Sequence, residues 1–65
     1  MTLTIRHVDY KNGTALVQNS KHTFPVTVAK SIRYLICIGD LAKVTKSPVS
    51  GEWIMTDYIA MYGRN

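Results

Sequence analysis

Arg6, Lys11, Lys21, Lys30, Arg33, Lys43 and Lys46 recur through the chain, and Tyr10, Phe24, Tyr34, Trp53, Tyr58 and Tyr62 are interleaved with them. Cations can track phosphates and flat rings can stack on unpaired bases, the two contacts that binding a single strand requires. Arg33 and Tyr34 adjoin, so charge and ring arrive there as a pair. The expected nucleic-acid-binding face is therefore Lys21, Lys30, Arg33, Tyr34, Lys43 and Lys46, with Trp53 as a stacking platform. Each choice has a plainer alternative. A lone lysine equally suits solvated surface, and the only tryptophan of a small chain is more often a core anchor than a stacking platform. Phe24, on the same side as Val26 and Val28, reads as core.

Other chemistries lack their residues. The carboxylates Asp9, Asp40, Glu52 and Asp57 fall in turns or at strand margins, with no pair at a diagnostic spacing. No nucleophile elbow or phosphate loop is present, so no catalytic residue is expected and the chain is read as a non-enzyme. His7, His22 and Cys37 are the only soft metal ligands, and their spacing matches no zinc pattern. Neither a metal nor another cofactor is expected. Cys37, between Ile36 and Ile38, reads as a buried, inert thiol, and a single cysteine excludes an intramolecular disulfide. Asn12-Gly13-Thr14 matches a glycosylation acceptor, but a hairpin turn is the simpler reading of it.

These side chains need a scaffold, and 65 residues suit one small domain over residues 1–65. A chain of this size buries only about 60% of its unfolded surface on folding. Hydrophobic residues at 46% and charged ones at 18% fit a globular protein and exclude a disordered one. No run approaches the roughly 18 apolar residues of a membrane span, and the first ten residues lack a signal peptide's apolar stretch. A cytoplasmic location is expected. The formal charge of +4 favours anionic partners, nucleic acid being the commonest.

Period-two alternation predicts five strands. Residues 3–10 form the first, with Leu3 and Ile5 on one face and Thr4, Arg6 and Val8 on the other. Asn12-Gly13 then signals a two-residue hairpin with positive φ at both central positions. Residues 14–18 return as a second strand with Ala15 and Val17 opposite Leu16, and residues 23–28 form a third with Pro25 outward. Proline lacks the donor a central ladder needs, so this strand is expected to be an edge or bulged near Pro25. Residues 29–38 break the rhythm and predict a short helix or irregular crossover. Gly39-Asp40 turns the chain into a fourth strand, 41–45, and a loop rich in turn formers leads to a fifth, 52–59. Residues 61–65 read as a tail.

Three strands in a meander, a crossover and two more strands make an all-β, five-stranded barrel. That order resembles the OB-fold, the oligonucleotide-binding Greek-key barrel. The stretch Ile32-Arg33-Tyr34-Leu35-Ile36-Cys37-Ile38-Gly39-Asp40-Leu41-Ala42-Lys43-Val44 is similar to the entry to the fourth strand in bacterial translation initiation factor one and S1-type domains. Gly13-Thr14-Ala15-Leu16-Val17 likewise resembles their Gly-x-Val opening strand. Gly39-Asp40-Leu41 followed by Gly51-Glu52-Trp53 also resembles the Gly-Asp turn and later tryptophan strand of SH3-like barrels. The SH3 domains' acidic loop and Pro-x-x-Tyr segment are missing, which argues against proline-rich ligands.

The reading that follows is a small basic protein binding RNA or single-stranded DNA. The alternative is an interaction module or inhibitor, of phage or accessory type, that docks on a larger enzyme or nucleic-acid machine with an acidic surface. Three methionines and several tyrosines suit such an interface. A monomer, or a weak homo-oligomer formed through the strand bearing Pro25, fits either.

Overall fold

Apolar residues at every second position give each strand one face that must leave water. The computed structural model, described over residues 2–61, satisfies this by closing five strands into a barrel. The strands are β1 (Thr2–Asp9), β2 (Thr14–Gln18), β3 (Thr23–Val28), β4 (Leu41–Lys46) and β5 (Trp53–Ile59), and no helix occurs among the described residues. This is the all-β small barrel that both the OB-like and the SH3-like resemblances imply, and every strand begins and ends within about one residue of its expected bounds. Residues 62–65, which include Tyr62 and most of the expected tail, lie outside the described residues.

Around the barrel the order is β1-β2-β3-β5-β4, and β4 closes back on β1. All neighbours run antiparallel except β3 and β5, which pair in parallel through Thr27 with Ile54 and Val28 with Met55. Inward side chains fill the centre: Ile5, Val17, Val28, Val44 and Met55 are essentially inaccessible. Phe24 and Trp53 are half-buried against this core, their rings tilted 55° at 6.1 Å, so both have the anchoring position that was one of the two readings for Trp53.

Three local expectations are corrected. Val8 is buried with Leu3 and Ile5 rather than facing out with Arg6, because the β1–β2 register shifts between Ile5 and His7. This bulge inserts one residue and leaves Arg6 and His7 both exposed. The β1–β2 connection is a four-residue turn over 10–13 rather than a two-residue hairpin. Only Gly13 has positive φ there (69°), and its N–H donates to Asp9 O at 2.9 Å. The carboxylate of Asp9 sets the turn: Asn12 donates its backbone N–H to Oδ1 (3.1 Å) and its Nδ2 to Oδ2 (2.8 Å). Third, Cys37 is half-buried rather than fully enclosed.

Pro25 sits in an unbroken β2–β3 ladder, opposite Leu16. Val28 N–H donates to Gly13 O, so by alternation the Leu16–Pro25 pair is non-hydrogen-bonded and the absent proline donor would point away from β2. On that side the β5 ladder reaches only Thr27 and Val28. The proline therefore costs no ladder bond in a strand that is paired on both sides.

The crossover over 29–40 is irregular, built from successive turns, which settles the choice offered by the sequence. Ile32 and Ile36 plug the barrel from it. Gly39, at φ 97°, and the wholly buried Asp40 end it. Asp40 Oδ2 accepts from Cys37 N–H (3.0 Å) and Oδ1 from Met61 N–H (3.3 Å), while its backbone O accepts from Ile5 N–H (2.9 Å). One side chain thus ties the crossover to the segment after β5.

Candidate nucleic-acid interface

The turn over 10–13 and the start of the crossover lie at the same end of the barrel, since β1 and β3 both run towards it. There Tyr10 and Tyr34 stack, with centroids 6.2 Å apart and planes 8° from parallel. Tyr10 is fixed by donating its O–H to Ile36 O at 2.8 Å. Tyr34 is the outer member, with 75% of its surface exposed. The pair is therefore an anchored ring carrying an accessible one.

Arg33 packs against the 10–13 turn at the same end. Its guanidinium lies against the Cα of Gly13, in the space where any side chain at that position would sit. The positive φ favours glycine here, and a side chain at 13 would also have to displace the Arg33 guanidinium. Arg33 Nε is buried there with no hydrogen-bond partner. The contact holds the guanidinium against the 10–13 turn, with Lys30 and Lys11 exposed on the flanking turns.

The other expected residues do not join this end. Lys46, the last residue of β4, pairs with Trp53, the first of β5, at the base of the β4–β5 loop. That loop is well tied: Gly51 N–H donates to Ser47 O (2.9 Å), Ser47 N–H to Glu52 O (2.7 Å), and Ser47 Oγ accepts from Val49 and Ser50 N–H (3.3 Å each). It holds Val49 almost wholly in solvent, and with Thr14, Pro25, Thr27 and Trp53 it borders a shallow groove. Lys43 lies on the outside of β4, opposite Thr2 and Asp57. Lys21 occupies the β2–β3 turn, at the far end of that hairpin from Gly13.

The structure thus assembles Lys30, Arg33 and Tyr34 at one end and Lys46 with Trp53 at a second place, and keeps Lys21 and Lys43 apart from both. Sequence reasoning missed Tyr10 as the support of Tyr34, and nothing in the spacing could have found it. The crossover also exposes Leu35 and Ile38, and Ile59 at the end of β5 and Met61 just after it are exposed too. No group of three or more metal-ligating side chains occurs among the described residues. Comparison with known proteins finds no matching family model, and no curated protein or solved structure with significant similarity.

Proposed function

We propose that the protein is a basic binding module for RNA or single-stranded DNA that performs no chemistry of its own. The observation that carries this is the stacked Tyr10–Tyr34 pair at the same end of the barrel as the Arg33 guanidinium held against Gly13, a ring and a cation both set in position before a ligand arrives. A base stacking on the open face of Tyr34 would gain about 1–3 kcal/mol, whatever its identity. Lys30 and Arg33 would meet the phosphates on either side, with Lys46 and Trp53 extending the contact and Lys21 and Lys43 adding to the field.

The strand order supports the OB-like reading over the SH3-like one. A meander of three strands whose fourth returns beside the first is the Greek key, here β4-β1-β2-β3, and the OB-fold is a Greek-key barrel. Binding of a labelled oligouridylate, followed by anisotropy, tests the proposal. Tyr34→Ala should weaken binding roughly tenfold with the thermal midpoint nearly unchanged, and undiminished affinity would remove the stacking role.

A second reading, docking on a larger protein with an acidic surface, is favoured by the exposed aliphatic side chains of Leu35, Ile38, Ile59 and Met61. A bound protein that survives nuclease treatment and is lost with Ile38→Asp would support it.

A further inference from the structure

The bulge in β1 leaves Arg6 as the extra residue of the strand, exposed between Ile5, paired with Val17, and His7, paired with Leu16. Arg6 does not project over bare sheet. It lines a surface groove with Thr2, Thr4, Gln18, Asn19 and Ser20, at the end of β2 away from Gly13. The groove's polar lining is neutral apart from Arg6, with Leu3 at its floor the one apolar member. Asn19 Oδ1 is taken up by the backbone N–H groups of Lys21 and His22 (2.9 and 2.8 Å), which leaves its Nδ2 as the outward end of the amide. Three hydroxyls, the Gln18 amide and Leu3 complete the lining, no carboxylate is part of it, and the exposed Lys21 follows Ser20 in the chain. The groove beside Trp53 differs: Glu52, Pro25, Val26 and two threonines line it, and Lys46 stands only at its Gly51 edge.

From this contrast we infer that the Arg6 groove is an oxyanion seat, and that the oxyanion is a phosphodiester of the strand bound at Tyr34. The second half rests on the nucleic-acid reading above. Arginine presents a planar fork of donors suited to a phosphate, and neutral hydroxyls and amides add bonds without competing charge. A bulge is the local device that aims an extra side chain this way without disturbing the inward set. β2, at five residues, separates the groove from the Tyr34 end by about 17 Å, so the bound strand runs along the outside of β1 and β2. A chain too short to bridge that span would be held at Tyr34 alone.

Amide shifts of 15N-labelled protein, titrated separately with inorganic phosphate and with oligouridylates of increasing length, test this, together with Arg6→Gln and Arg6→Lys. The long oligomers should shift the amides of Arg6, Gln18, Asn19 and Ser20. Arg6→Gln should weaken their binding roughly three- to tenfold and lower the slope of log K against log salt by about 0.7, while Arg6→Lys keeps the slope. The shortest oligomers should be indifferent to both variants. Long oligomers that bind the unmodified protein without moving those amides would overturn the groove and leave the Tyr34 reading standing. Phosphate shifting the amides while no oligomer binds would support the oxyanion seat and refute the strand path. Silence from both ligands would overturn the whole inference.

Discussion

Gly13 and Arg33, twenty positions apart, are one unit. Alanine at 13 must adopt a left-handed φ, which costs about 1 kcal/mol, and its methyl must displace the Arg33 guanidinium. Gly13→Ala should therefore cost about 1–2 kcal/mol, a fall of roughly 5–15 °C in thermal midpoint for a domain this small. In an Arg33→Ala background only the backbone part should remain, so the double-mutant cycle should show coupling of about 0.5 kcal/mol or more. Strictly additive losses would mean that the two do not meet. Asp9, which directly precedes Tyr10, reports on the same turn. The Asn12 side-chain amide, then the Asn12 backbone N–H, hold its carboxyl below the usual 3.8. A depressed folded-state value stabilises the fold above pH 3.8 and loses that contribution as pH falls through the lower value. Asn12→Ala should bring the Asp9 midpoint, read by NMR, back towards 3.8, and an unmoved midpoint would contradict the capping role.

At the scale of elements, the crossover is what converts a meander into a closed barrel. Its plug, Ile36, has no exposed surface, and Asp40 holds both the crossover's end and the segment after β5. Ile36→Val should cost about 0.5–1.5 kcal/mol and Ile36→Ala about 2–5. Against a total of about 3–10 kcal/mol expected for this length, the alanine variant should lose roughly half of its stability and melt well below the valine variant by Trp53 emission. Equal midpoints for the two would show that the plug is dispensable. Asp40→Ala, which strands the Cys37 and Met61 donors, should cost about 2–3 kcal/mol.

The same elements mark how far the sequence could be read. Strands were legible because alternation reports burial directly, and Gly39-Asp40 was legible because glycine and aspartate make a turn by local chemistry. The bulge has its own trace in the sequence: the apolar residues Leu3, Ile5 and Val8 change spacing from two to three, the signature of one inserted residue, which period-two alternation alone does not register. Asn12-Gly13 misled because the deciding partner, Asp9, lies outside the dipeptide. The candidate site was legible only at Arg33-Tyr34, where cation and ring are neighbours in the chain. Tyr10 under Tyr34, Gly13 under Arg33 and the grouping of Arg6 with Gln18, Asn19 and Ser20 are all products of strand pairing, which composition does not encode.

For the whole molecule, the central claim is that positive charge and one positioned ring at an end of a closed barrel make a single-strand binding surface. Charge is spread widely, so affinity should depend steeply on salt and little on sequence. The most direct measurement titrates the protein with labelled oligouridylate and oligothymidylate at low and physiological salt, following anisotropy and Trp53 emission together. The account predicts micromolar binding to both polymers, with a log–log salt slope of about −2 to −3.5 from three to five phosphate contacts. Absence of binding to either polymer at low salt would contradict it and make the charge of +4 incidental to function.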